Sequence, residues 1–310
     1  MSSTSTPPTS SKSDVTLAPD VVAVDVEAAV LGAPERAGGS GGAAVGRVSA
    51  TGDAATRLAG VRVLVGPVDA CGECEACRRG KLLACAGVKL LGRDTPGALG
   101  GTVTARVRWV CPLDGPLEGA VAGPSAAALP REALALYTLH ARAGVGPGDP
   151  VVWLGDDPLA KLGATLARAA GGVVVTPPEG DDVRATARLV DEELRAAGAR
   201  RVAWTVLDAR GTAAGRTRAL ALAAEGGGGG GTTALLAGPA LGVPDGDASL
   251  AAALAVEVRV IAVAAPHPDL LPELVALVQK GVVDLAPHVA ITPWAARDAA
   301  QADRVVVVAR

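Results

Sequence analysis

The chain has 310 residues, room for two domains with separate cores, and its 29 Lys and Arg against 32 Asp and Glu leave a formal charge of −3. That balance excludes the basic surfaces that hold nucleic acid or anionic membranes. Hydrophobic residues reach 49% but Phe is absent and aromatics make up 2%, so the core must be built from Ala, Val and Leu, each burying little area.

Residues 1–14, MSSTSTPPTSSKSD, are rich in Ser, Thr and Pro without apolar period, and are expected to be a disordered tail. No apolar run has bilayer-spanning length and the N-terminus is not signal-like, so the expectation is a soluble, cytoplasmic protein. Val21 to Val30, VVAVDVEAAV, alternates in part and predicts a strand.

The stretch Val63 to Cys85 places Cys71, Cys74, Cys77 and Cys85 in a C-x2-C-x2-C-x7-C array. Thiolates that meet on one tetrahedral zinc need short tight loops between them, and two-residue spacings supply these. Gly72 and Gly80 let the backbone turn, while Arg78, Arg79 and Lys81 add positive charge expected to favour thiolates. A redox pair, a disulfide lobe and an iron–sulfur cluster are the alternatives. Four of five cysteines fall in this window of a chain without a secretion signal, which favours zinc. With all four ligands thiolate, no position stays open for water or substrate, so such a zinc is structural.

The run GVRVLVGPVDACGECEACRRG, Gly60 to Gly80, resembles the structural-zinc lobe of the zinc-containing alcohol dehydrogenases, in the medium-chain dehydrogenase/reductase superfamily. The resemblance implies an α/β fold, with a Rossmann-type doubly wound parallel sheet beside a mostly β GroES-like domain that carries the zinc lobe. It also implies NAD as cofactor, a small-molecule alcohol as substrate and assembly as a homo-oligomer. The three catalytic zinc ligands of that family find no counterpart. Leu31 and Gly32 stand where the first cysteine should be, and Gly39-Ser40-Gly41-Gly42 replaces the glycine-histidine-glutamate triplet. Arg131 falls at the third ligand, with Glu132 beside it, able to ligate only if the register slips by one. No catalytic residue is therefore assigned.

The strand Ala44 to Val48 and the stretches Val88 to Asp94, Gly97 to Val107 and Arg108 to Leu113 resemble further family strands, with Cys111 expected as a small buried residue. Arg131 to Val145 has helical apolar spacing and stops at Gly146-Pro147-Gly148-Asp149, a hinge the family shares. PVVWL, GDDPLAKLG, ATLARAAGG and VVVT then predict strand, turn, helix and strand, one βαβ unit. At that turn the family carries a glycine triad whose middle member lets the backbone approach the pyrophosphate; here the positions are Gly155, Asp157 and Ala160. Asp157 would repel phosphate or cap the helix instead. Glu179, after Pro177-Pro178, is the nearest acid to the place of the ribose ligand.

Val183 to Ala197 predicts an amphipathic helix, Arg201 to Asp208 a strand, and Gly211 to Ala224 a turn and helix. Six glycines, 226 to 231, form a loop before the strand Thr232 to Ala237; no Lys-Ser/Thr follows them, so they do not read as a phosphate cradle. Val258 to Ala265 predicts a strand, His267 a loop and Leu271 to Lys280 a helix with Pro272 in its first turn. Gly281 to Val289 resembles the family's return to the first domain, and Arg304 to Ala309 predicts a last strand. Trp204 to Thr217, Trp109 to Asp114 and Lys280 to Ile291 are most similar to the 6-hydroxycyclohex-1-ene-1-carbonyl-CoA dehydrogenases, which implies NAD-dependent oxidation of a hydroxyl on a cyclic acyl-CoA. The expected division is 1–14 tail, 15–147 GroES-like, 148–285 Rossmann-type and 286–310 returning to the first domain. The competing expectation is a non-catalytic, zinc-stabilised relative that serves as a scaffold or binding protein.

Overall fold

The computed structural model describes residues 16–31, 41–113, 121, 123–199, 204–209, 212–226, 232–236, 258–263, 266–299 and 305–310. The expected tail, the replacement segment 32–40 and most of the glycine run lie outside the described residues.

The first half is built from β1 (Val21–Leu31), β2 (Ala44–Thr51), β3 (Arg62–Val65), β4 (Val68–Asp69), the short helix α1 (Glu75–Arg78), β5 (Lys89–Leu90), β6 (Thr102–Arg106) and β7 (Val110–Pro112). Alternation places Val22, Val24 and Val26 inside, and they pack with Val48, Val63 and Val103 as one apolar cluster. The next elements are α2 (Leu134–Ala143), β8 (Pro150–Leu154), α3 (Pro158–Ala169), β9 (Val173–Val175), α4 (Val183–Ala196), β10 (Thr205–Asp208), α5 (Ala213–Glu225), β11 (Thr232–Leu236), β12 (Arg259–Val263) and α6 (Leu271–Gln279). The chain closes with β13 (Val289–Pro293) and β14 (Val305–Ala309).

Two large sheets result. One runs β13-β14-β1-β2-β3-β7, with β6 also on β1; the pairing of Ala28 with Ala309 returns the C-terminus to the first half. The other runs β12-β11-β10-β8-β9 with every neighbour parallel. From β8 the chain steps outward to β9 and then crosses to β10 on the opposite side, so the order reverses between β8 and β10. Open sheets of this kind take ligands at the carboxyl ends of the strands beside that reversal.

The apolar core is continuous between the halves. Ala28, Val30 and Leu64 of the first sheet join Leu134, Leu136 and Leu139 of α2, and these join Trp153 of β8 and Leu162 and Leu166 of α3. Trp153 is fully buried and lies against α3 at Gly163, where a Cβ would overlap the indole. A chain without Phe places one large ring where a helix carries no side chain.

Several expected elements are shorter than their sequence patterns. The stretch Val88 to Asp94 yields only Lys89–Leu90 as strand, because the Asp94 carboxylate accepts from Leu90 N and folds the segment back. The α2 helix is preceded by a π-type turn, Leu129–Ala133, holding Arg131 and Glu132. Cys111 is half-buried rather than enclosed, on a strand at the sheet edge. Among the described residues no helix is long and apolar enough to cross a membrane.

Candidate functional site

The cysteine lobe leaves the first sheet after β4 and is held by three side chains of the β6–β7 segment. The Trp109 indole N–H donates to the Ala70 carbonyl at 2.7 Å, Arg106 to the same carbonyl at 2.9 Å, and Arg108 to the Gly72 carbonyl at 2.8 Å. Gly72 turns at φ +81°, a conformation that other residues rarely adopt. Cys74 opens α1, and Cys85 ends the turn Leu82–Ala84. The four sulfurs all lie within 4.8 Å of one another, with Cys71 and Cys77 at 3.9 Å. A tetrahedral zinc with ~2.3 Å bonds to sulfur needs sulfurs about 3.8 Å apart, so the donor set fits such an ion.

The electrostatics of the lobe differ from the sequence expectation. Cys71 is held down to about 6, chiefly by the Glu73 and Cys74 backbone N–H groups. Burial pushes Cys77 up to about 12. The cations expected to favour thiolates are all exposed, and Arg79 is engaged with Glu75 at 2.7 Å. Water between exposed charges and the sulfurs screens them, whereas a backbone N–H aimed at a sulfur acts at contact.

The places read as catalytic ligands hold other chemistry. Leu31 is buried against Val306 and Val308. Arg131 and Glu132 are both largely covered, 23% and 12% exposed, and lie 3.5 Å apart as an ion pair. Among the described residues the four cysteines are the one group with metal-ligating geometry.

The crevice at the ends of β8 and β10 can be tested for a nicotinamide dinucleotide. Gly155 turns at φ +115° and delivers Asp157 to the N-terminus of α3. There Asp157 Oδ1 accepts from Leu159 N at 2.8 Å and Ala160 N at 3.0 Å. Ala160 is 1% exposed and faces the core. Glu179 lies in the loop after β9 and pairs with Arg218 of α5 at 3.2 Å. The donors a pyrophosphate needs are thus bonded to a carboxylate, and these residues do not fit the cofactor.

Sequence reasoning missed Arg218, which falls in no motif, and Asp208, fully buried at the end of β10 facing Gly215. It also missed the approach of the lobe to the second half, where Gly80 packs against His267 and Arg142. No spacing rule points to these; each depends on elements distant in sequence.

The model of the alcohol dehydrogenase GroES-like domain matches residues 19–115. The 2-dehydro-3-deoxy-L-galactonate 5-dehydrogenase of Pseudoalteromonas atlantica is 30% identical over 128 residues, covering 40% of this chain and 35% of the relative. Among solved structures, alcohol dehydrogenase TADH from Thermus sp. ATN1 superposes with a TM-score of 0.73 at 18% identity, covering 97% of this chain and 95% of that one. The cobalt- and zinc-bound thermostable alcohol dehydrogenase of Pyrobaculum aerophilum gives 0.70 at 21% identity, covering 94% and 92%. The chain spans about a third of the length of the first of these relatives. Residues 19–115 are thus an alcohol dehydrogenase GroES-like domain, and the fold is that of the zinc-type alcohol dehydrogenases.

Proposed function

We propose that this alcohol dehydrogenase-like protein keeps the architecture of a zinc-type oxidoreductase, stapled by zinc on Cys71, Cys74, Cys77 and Cys85, without oxidising alcohols itself. It then acts as a scaffold or binding protein. The observation that carries the reading is the Arg131–Glu132 ion pair at the place of the third catalytic ligand. A guanidinium cannot ligate zinc, and it neutralises the neighbouring carboxylate that otherwise offers a donor. Polarising an alcohol oxygen by zinc needs a metal with an open position, and a closed four-thiolate site has none. The division into 15–147, 148–285 and 286–310 and a homo-oligomeric state are carried over from the resemblance, the latter to be read by light scattering.

The competing reading is NAD-dependent oxidation of a hydroxyl group, favoured by the retention of both domains and the crevice between β8 and β10. Its acyl-CoA form has no support among the curated relatives, which are named for galactonate-type acids and L-threonine. Metal analysis together with an alcohol panel decides between them. One zinc per chain and no reduction of NAD with L-threonine, L-galactonate or a cyclic hydroxyacyl-CoA is the expected result. A second zinc per chain, or turnover of any of these, would sink the scaffold reading.

A further inference from the structure

Both anchors that a dinucleotide uses in a crevice of this topology are occupied by the chain's own side chains. At the N-terminus of α3, a helix of 12 residues, the Asp157 carboxylate takes the N–H groups of Leu159 and Ala160. Those are donors that an incoming phosphate oxygen would need, and the group on them already carries the charge a phosphate would bring. Across the crevice, Arg218 projects from α5 to the loop after β9. Its guanidinium donates to Glu179 at 3.2 Å and to the Pro178 carbonyl, and it is 11% exposed. Glu179, the acid available for ribose hydroxyls, is thereby held by a cation. Asp157 also stands at the middle position of the triad, where the close approach of backbone to pyrophosphate calls for glycine, while Ala160 at the third position faces the core.

We propose that Asp157 and the Arg218–Glu179 bridge form a built-in plug that closes the crevice to pyrophosphate-bearing dinucleotides, with Asp157 as the deciding residue. A dinucleotide that enters must break the two-bond cap on α3 and also place its phosphates beside a carboxylate. The Arg218 bridge holds the loop after β9 in place and sets a positive charge on its acid. This inference goes beyond the loss of catalytic zinc and is independent of it, since Arg131 and Glu132 lie outside the plug.

The test is a titration of the full zinc-loaded chain with NADH, following nicotinamide emission and heat of binding, for the parent, Asp157→Gly and Asp157→Ser. Serine retains a neutral cap, so that variant stays folded where glycine weakens the helix, and thermal melting reports both. The expected result is no saturation of the parent at millimolar NADH and a gain of at least about tenfold in affinity for both variants, about 1.4 kcal/mol. Micromolar binding by the parent overturns the proposal. So does the absence of any gain in a folded Asp157→Ser, which would assign the closure to another group. Zinc content is the same in every case, so the outcome is separate from that of the metal analysis.

Discussion

His140 is 3% exposed on α2, its ring edge-on to Tyr137 at 4.7 Å, and burial pushes its imidazole down to about 4. Unfolded, the same group titrates near 6.5. Between these values the unfolded chain binds a proton and the folded chain does not. Stability is therefore complete above about pH 6.5, falls as the pH drops towards about 4, and changes no further below that on this account. The loss is at most roughly 3.5 kcal/mol, since each pH unit between the two titrations is worth about 1.4 kcal/mol. Urea melts at about pH 4.5 and 7 should show this difference in the parent and a smaller one in His140→Leu, which carries no titrating group. An undiminished difference in the variant would assign the acid sensitivity elsewhere. At the same scale, Asp157 capping a helix was legible from its position before Pro158, because a cap depends on neighbours along the chain. The origin of the Cys71 shift was not legible, because it depends on where two backbone N–H groups point once Gly72 has turned.

At the scale of elements, α3 and β8 are joined through one interlocking pair. Replacing Gly163 by alanine drives a methyl into the ring of Trp153, which has no free volume to move into because it is fully buried. Gly163→Ala is expected to cost at least about 1–3 kcal/mol despite alanine's better helix propensity, and denaturant midpoints measure it. A stabilised variant would mean that the indole repacks freely. The α4 helix gives the milder case: Asp182 accepts from Ala185 N at 2.9 Å, and Asp182→Ala should cost about 1 kcal/mol in the same measurement. Helices α4 and α6 match their predicted spans within one residue, since apolar period and N-terminal signals are local. The stretch around Lys89 reads as a longer strand than it forms, because a β-rich run becomes strand only where a partner lies alongside it.

At the scale of the molecule, the lobe is a small core of its own. Val68, Ala70, Cys77, Leu82, Cys85 and Trp109 form an apolar cluster too small to be stable without a covalent or metal link. Chelation of zinc, or Cys74→Ser, is expected to loosen the lobe and change the emission of Trp109. Unchanged emission and melting temperature in metal-free protein would exclude a folding role for the ion. Because Gly80 packs on His267, the loosening should also reach the second half and raise hydrogen exchange around residues 266–269.

The four-cysteine array, the amphipathic helices and the βαβ unit could be read from residues alone, since each is specified by spacing over a few turns of chain. That reading extended to the fold class, which follows from the order of strands and helices along the chain. Folding in three dimensions determined what local spacing does not reach: a guanidinium from α5 on the acid of the loop after β9, and Gly80 of the lobe against His267. Such contacts depend on where segments far apart in the chain come to lie, and their distances follow from how the sheets and helices pack rather than from any local pattern.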